Sequence, residues 1–305
     1  MAMLLAAAAP QVEQVTVPGP QGPLAGTLTL AEGEGQAVVI IPGSGPTDRD
    51  GNSPLGITAG AYRLLADALA AKGVSSIRID KRGMFGSRAA VADANSATFA
   101  DYAADARAWA KLAARRTGNA CAWLVGHSEG GVVALQAAQS ADGICGVVLL
   151  SSPGRALGDV MRGQFRANPA NAPILPAALG MLDAVQAGKT VDPATLPAPL
   201  GAMFPIGVQT YLSRVIAVDP ATLAKTARVP VVIVQGDADL QVSVTEDAGR
   251  IAAAQPKAAL TVLPGVNHVL KAVGGDRIAN QRSYADSSLP IAPAVVDTVV
   301  GAVKR

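Results

Sequence analysis

Short apolar runs alternate with helix-forming segments along most of this chain, and this alternation limits the folds open to it. The runs that predict strands lie at residues 37–41, 74–80, 121–126, 145–151, 229–236 and 258–265. The segments that predict helices include 58–72, 98–116, 129–140 and 291–303. Short, continuously apolar strands separated by helices indicate a parallel sheet with helices packed on both faces.

The N-terminal part follows a different pattern. Residues 12–19 and 24–31 alternate apolar and polar side chains, which is typical of an antiparallel strand pair. With this pair added, we predict an α/β fold with a mostly parallel, eight-stranded sheet. Its core would comprise residues 11–154 and 229–305.

Between the two parts of this core, residues 155–228 contain helical stretches, prolines and methionines but no convincing strand. A plain crossover between parallel strands needs far fewer residues. We therefore predict that 155–228 form a helical cap insertion, with ordinary packing helices as the alternative.

Composition excludes several classes of function. Half of the 305 residues are hydrophobic, enough for a substantial core, and the net charge of +2 gives no reason to expect a nucleic-acid partner. No apolar run approaches the ~18 residues of a membrane-spanning helix. Two histidines and two separated cysteines make no convincing metal site, so neither a metal nor another cofactor is expected.

The compartment depends on the first ten residues and the two cysteines. Residues 1–10, MAMLLAAAAP, resemble the second half of a secretory signal without its basic start. If they are such a remnant, the protein is periplasmic or secreted, and otherwise cytoplasmic. Cys121 and Cys145 begin neighbouring predicted strands. Directly paired strand positions suit a disulfide poorly, so we expect two buried thiols.

A strand-to-helix junction contains the first candidate for chemistry. Gly126-His127-Ser128-Glu129-Gly130 is a G-x-S-x-G motif between an apolar strand and a helical segment. In that setting a tight turn forces the serine into a strained conformation and lifts its hydroxyl clear of the sheet. We predict that Ser128 is a nucleophile, with an incidental serine in a glycine-rich turn as the alternative. His127 should point away from it and have a structural role.

A serine nucleophile needs a general base, usually a histidine oriented by a carboxylate. His268 follows the last predicted strand and should lie at the carboxyl edge of the sheet, where ligands bind in such folds. The loop after the preceding strand offers two carboxylates, Asp237 and Asp239.

An oxyanion hole needs two N–H donors. One should come from Glu129, the residue after the nucleophile. The loop after residues 37–41 supplies the other, and there Ser44 N–H is the candidate, with Gly43 and Gly45 allowing the backbone to turn beside the substrate. The charged residues 48–50 in the same loop are expected to brace it.

These motifs together resemble the α/β-hydrolases, and more narrowly the bacterial serine esterases of that superfamily. The resemblance rests on G-S-G-P-x-D-R-D-G-N (43–52), I-D-K-R-G-x-x-x-S (79–87), G-H-S-E-G-G, G-x-x-D, the N-H pair at 267–268 and the tail 283–293. It implies a catalytic triad in the order Ser128, Asp239, His268, since Asp239 fits the G-x-x-D spacing. Pro42 stands where many relatives have histidine, so this loop should be braced differently.

The resulting expectation is a serine hydrolase that cleaves small-molecule carboxylic esters through an acyl-enzyme. A thioesterase or peptidase would use the same residues, and a non-catalytic binding member is a further alternative. Apolar side chains of the predicted cap should line the substrate site: Met161, Phe165, Met181, Met203, Phe204 and Tyr211. The acyl and alcohol preferences and the oligomeric state stay open.

Overall fold

The computed structural model describes residues 10–33 and 35–304. The predicted signal remnant lies outside the described residues, apart from Pro10. No helix in the described ranges is both long enough and apolar enough to cross a bilayer.

One eight-stranded sheet organises the described chain. Its strands are β1 (Gln11–Pro18), β2 (Pro23–Leu30), β3 (Ala37–Ile41), β4 (Ser75–Ile79), β5 (Ala122–His127), β6 (Ile144–Leu150), β7 (Val231–Gly236) and β8 (Ala259–Leu263). They lie in the order β1-β2-β4-β3-β5-β6-β7-β8. β2 runs antiparallel to both β1 and β4, and all other neighbours are parallel. The predicted α/β fold is thereby confirmed, including the antiparallel N-terminal pair.

The helices between and after these strands cover both faces of the sheet. They are α1 (Ala61–Ala70), α2 (Phe99–Thr117), α3 (Glu129–Ala137), α4 (Leu157–Ala167), α5 (Leu175–Gln186), α6 (Ala198–Met203), α7 (Ile206–Val215), α8 (Pro220–Lys225), α9 (Gly249–Ala254), α10 (Arg277–Ser283) and α11 (Pro293–Val303). Alternate β3 residues face opposite cores: Val39 packs with α2 and α3, whereas Val38 packs with α1 and α11. β3 is continuously apolar because both of its faces are buried.

The segment between β6 and β7 contains α4 to α8 and no strand. α4 and α7 both pack against α5, whereas α8 packs against α3 and α9 of the core. The segment begins at a buried ion pair, because the fully buried Asp247 side chain accepts hydrogen bonds from Arg155 Nε at 3.0 Å and Nη2 at 2.9 Å. The same carboxylate accepts the backbone N–H groups of Gly154, Arg155 and Ser243.

The prediction of two free thiols is wrong: Cys121 and Cys145 form a disulfide, with their Cα atoms 5.3 Å apart. That separation is normal for a disulfide. The prediction assumed that the two cysteines face each other directly across two paired strands. Instead, Ala122 pairs with Ile144 and Trp123 with Gly146, so Cys145 is an extra, unpaired residue at a bulge. The bulge gives the two side chains room to meet.

Candidate active site

Ser128 sits in a strained turn between β5 and α3. Its backbone has φ 53° and ψ −125°, in the left-handed half of the map that non-glycine residues seldom adopt. Gly126 and Gly130 make this turn feasible: a Cβ on Gly126 would meet the backbone of Gly130 and Gly131, and one on Gly130 would meet Ile41 O and Pro42 O. The turn leaves Ser128 half-buried, with the strained backbone that the motif predicts.

His268 and Asp239 form a buried acid–base pair at the carboxyl edge of the sheet. His268 Nδ1 lies 2.9 Å from Asp239 Oδ2, and the aspartate side chain is fully buried. Three further donors hold the carboxylate: Gln241 N at 2.7 Å and Val242 N at 3.0 Å reach Oδ1, and Gln235 Nε2 at 3.1 Å reaches Oδ2. The imidazole is therefore oriented by a carboxylate that is itself held in place on both oxygens.

The surroundings of Asp239 keep it ionised. Burial by itself would raise the pKa of this carboxyl, but the facing His268 and the backbone N–H donors outweigh burial and lower the pKa below its ordinary value. An ionised, acceptor-only carboxylate requires His268 Nδ1 to carry a proton. The other ring nitrogen, Nε2, is then free to accept one.

Asp237 is placed differently from Asp239. It is exposed, and its Oδ1 accepts a hydrogen bond of 2.6 Å from Gly265 N in the loop that leads to the histidine. Of the two carboxylates that the sequence offered, only Asp239 contacts the His268 ring among the described residues. Asp237 instead links the loop after β7 to the loop after β8.

Ser128 and His268 line the same cavity of about 70 Å³. Within the described residues no hydrogen bond links their side chains. In many enzymes this contact tightens only when substrate is bound. The cavity opens between the loop after β3, the loop after β7 and the start of the C-terminal tail.

The loop after β3 lies against the serine. A Cβ added to Gly43 would be 3.2 Å from Ser128 Cβ, so this backbone approaches as closely as a side chain allows. Gly45 has φ 66°, which a glycine adopts without strain. Neither Ser44 N–H nor Glu129 N–H donates to another described residue. Two free backbone donors beside a serine can bind a developing oxyanion.

A hydrogen-bond relay joins this loop to the histidine loop. Gly43 N–H donates to the Tyr62 hydroxyl oxygen at 3.0 Å, and that hydroxyl lies 2.8 Å from His127 Nδ1. His127 Nε2 lies 2.7 Å from the main-chain oxygen of His268. A carbonyl oxygen only accepts, so Nε2 carries the proton and the Tyr62 hydroxyl donates to Nδ1. Burial, then the neighbouring His268, lowers the pKa of His127 to about 3, which keeps the ring neutral.

Lys81 holds the same loop from the opposite side. Its buried Nζ donates to Gly43 O at 2.7 Å and lies 3.4 Å from Glu129 Oε1, forming a buried ion pair. Gly43 is therefore fixed through both its N–H and its C=O. Tyr62 and Lys81 thus brace the loop that follows Pro42. The sequence motif at residues 79–87 contains Lys81, whose place directly after a strand predicts a role in tying neighbouring loops together. Sequence analysis did not identify Tyr62, for which there was no signal.

Charged residues near this loop tie it to β4. Arg49 makes a paired contact with the buried Asp80, with Nε at 2.9 Å from Oδ2 and the Arg49 backbone N at 2.8 Å from Oδ1. Asp48 accepts the backbone N–H of Asp50, which in turn pairs with Arg78. These contacts are internal to the protein and brace the loop.

The apolar side chains of residues 155–228 that were predicted to line the substrate site do not line the cavity at Ser128. Phe204 and Met181 are buried and Met161 and Phe165 half-buried in the hydrophobic core, while Met203 is 56% exposed. Tyr211 is half-buried, and burial, followed by the charge of Glu129, raises its pKa well above the usual value. None of these residues lines this cavity.

Known proteins resemble this chain in sequence and in fold. The family model described as Alpha/beta hydrolase family matches residues 38–273. Esterase EstD of Thermotoga maritima is 27% identical over 242 residues, which cover 76% of this chain and 52% of that protein. This chain thus spans about half the length of the curated relative that it matches.

Two solved structures illustrate the likeness in fold. The Pyrococcus furiosus esterase Pf2001 superimposes with a TM-score of 0.59 at 15% identity, covering 95% of this chain and 90% of that one. A thermophilic esterase from Thermogutta terrifontis gives a TM-score of 0.56 at 17% identity, covering 96% and 98%. At such identities these likenesses show the fold alone.

Proposed function

This chain belongs to the alpha/beta hydrolase family, and from that premise we propose that it is a serine hydrolase that cleaves carboxylic esters. The main support is the His268–Asp239 contact of 2.9 Å on a fully buried carboxylate, at a cavity that Ser128 shares. Relatives described as esterases support the choice of esters.

In the proposed mechanism Ser128 Oγ attacks the ester carbonyl carbon while His268 Nε2 takes its proton. Asp239 holds the proton on Nδ1 and stabilises the imidazolium that forms. The N–H groups of Ser44 and Glu129 bind the oxyanion of the tetrahedral intermediate. The imidazolium then protonates the departing alcohol, and water hydrolyses the acyl-enzyme by the same steps in reverse.

A fluorophosphonate probe tests the nucleophile directly. We expect one covalent adduct, mapped by mass spectrometry to Ser128, and a fall in kcat of about 10³–10⁶ in Ser128→Ala without loss of folding. An adduct on any other residue would refute the assignment. Thioester and peptide substrates, assayed beside the esters, distinguish the thioesterase and peptidase alternatives. A folded chain without Ser128-dependent activity on any of them would indicate a binding protein.

We further propose that residues 155–228 form a cap that limits the length of the acyl group. The support is an insertion of helices only, which contacts the wall of the cavity where Gln164 Nε2 donates to the main-chain oxygen of Gln241. Small to medium acyl esters should be preferred over long-chain emulsions. An unchanged chain-length profile after replacement of residues 160–215 in a folded enzyme would contradict this.

The disulfide supports a proposal on the compartment. Disulfides persist in oxidising compartments such as the periplasm and are rare in reducing cytoplasm. We propose that this protein works in an oxidising compartment, with Cys121 and Cys145 paired. Alkylation of the purified, unreduced protein should label neither cysteine, and labelling of both after native isolation would contradict the proposal.

A further inference from the structure

The cavity beside Ser128 is small, and its walls combine apolar surface with several polar side chains. A volume of about 70 Å³ has room for a few water molecules, or for a short group of a substrate, next to the ester carbonyl. Beyond Ser128, His268 and the loop after β3, the side chains on its walls are Ile57, Ala61, Tyr62, His127, Gln241, Val269 and Tyr284. Tyr62 and His127 are already paired in the relay, whereas Gln241 and Tyr284 retain hydrogen-bonding capacity beyond their contact with each other.

Gln241 is fixed beside the acid–base pair. Its backbone N–H donates to Asp239 Oδ1 at 2.7 Å, and its main-chain oxygen accepts Gln164 Nε2 at 3.2 Å. Its side-chain amide Nε2 donates to the Tyr284 hydroxyl at 3.0 Å. The amide oxygen accepts no hydrogen bond from the described residues, so it remains available as an acceptor at the cavity.

Tyr284 presents a hydroxyl proton to the same cavity. Its main-chain oxygen accepts Thr58 N at 2.9 Å, which fixes the residue at the end of α10. The hydroxyl oxygen already accepts from Gln241, and no described residue accepts the hydroxyl proton. Burial first, with the hydrogen bond from Gln241 opposing it and Asp239 adding to it, raises the pKa of Tyr284 to about 12. The hydroxyl is therefore a permanent donor.

We propose that Tyr284 and Gln241 are specificity-determining residues that select short esters bearing a hydroxyl group close to the ester bond. A hydroxyl both donates and accepts, and it matches a wall that offers one free donor, from Tyr284, and one free acceptor, from Gln241. An alkyl group of the same size would leave both of them unpaired and partly desolvated. This inference rests on the proposed esterase function and adds the chemistry of the substrate.

Isosteric ester pairs test the proposal, because a hydroxyl and a methyl group are alike in size. On the acyl side the pair is para-nitrophenyl glycolate and para-nitrophenyl propionate. On the alcohol side it is ethylene glycol monoacetate and propyl acetate. For each pair we would measure the ratio of kcat/KM for the hydroxyl ester to that for the methyl ester, which removes general effects on catalysis. Comparing this ratio in each variant with the ratio in the unmodified protein also removes the difference in intrinsic reactivity between the two esters.

In Tyr284→Phe we expect this ratio to fall about tenfold in at least one pair, the loss expected for one hydrogen bond. Gln241→Met, a second variant of similar size, should lower it in the same pair. Tyr102→Phe removes a buried hydroxyl that lies outside the cavity and should leave the ratio unchanged. Equal losses on both members of each pair, or an unchanged ratio in both variants, would overturn the inference. Absence of Ser128-dependent hydrolysis of all four esters would instead overturn the proposed function.

Discussion

Replacement of one carboxylate oxygen of Asp239 by an NH₂ group, in Asp239→Asn, tests how this residue orients His268. In Asp239→Asn, the oxygen must stay at the Oδ1 position, because two backbone N–H groups donate there at 2.7 and 3.0 Å. The new NH₂ then faces His268 Nδ1, where the carboxylate accepted a proton at 2.9 Å. Two donors cannot face each other, so the imidazole places its proton on Nε2. In that tautomer it cannot take the proton of Ser128.

The magnitude follows from the two interactions that are lost. The charge-assisted hydrogen bond contributes about 1.5–3 kcal/mol. To act as the base, the imidazole must also return its proton to Nδ1, where it faces the amide N–H, and this unpaired buried donor costs about 1–3 kcal/mol. Their combination, roughly 3–6 kcal/mol on the barrier, corresponds to a fall of about 10²–10⁴ in kcat. Because Asp239 is fully buried and its donors are fixed, we expect a value near 10⁴, as loss of tautomer control gives.

Asp237→Asn is the matched control, with the same chemical change two residues away. Asp237 is exposed, and an asparagine can still accept the hydrogen bond from Gly265 N, so kcat should change less than about threefold. Steady-state kinetics on one activated ester, with urea unfolding of both variants, decides the outcome. A larger loss in Asp237→Asn, or less than a tenfold loss in a folded Asp239→Asn, would refute this account.

Three further perturbations probe the supports of the site. Tyr62→Phe leaves a backbone N–H and a ring nitrogen of His127 without a partner, so kcat should fall about 10- to 100-fold with KM little changed. Burial lowers the pKa of His127 to about 3, whereas a histidine in the unfolded chain has a pKa of ~6.5. As pH falls below ~6.5, the unfolded chain therefore takes up a proton that the folded chain does not. The free energy of unfolding should then decrease by roughly 3 kcal/mol on reaching pH ~4. His127→Gln cannot titrate, so its urea unfolding should show a correspondingly weaker pH dependence. Asp247→Ala breaks the buried pair with Arg155 and should cost about 3–5 kcal/mol, whereas Asp297→Ala, in an exposed pair, should cost about 1 kcal/mol or less by the same measurement.

The sequence by itself determined the architecture, because the relevant signals are local. Strands buried on both faces are mostly apolar, and β3 shows this in the five residues from Ala37 to Ile41. The sequence also predicted the strained turn at Ser128, because a side chain at either of the flanking glycines would clash with the backbone. Periodicity and steric limits of this kind act within a few residues of the chain.

Only the tertiary structure decided which side chains meet. Tyr62 and His127 are 65 positions apart, and His127 reaches the main chain of His268 across 141 positions, so no local pattern could predict the relay. In the sequence, the choice between Asp237 and Asp239 depended on the G-x-x-D spacing of a resembling family. The structure shows the contact between Asp239 and His268 directly.

The cysteines show why such contacts escape sequence analysis. A single extra residue at Cys145 shifts the register between β5 and β6 and turns unfavourable positions into a disulfide. Strand register is set by packing over the whole sheet. The extra residue of a bulge changes which face of the sheet the neighbouring side chains point to. The same holds for Tyr284 and Gln241, whose hydrogen bond at the cavity forms only once the C-terminal tail has folded against the loop after β7.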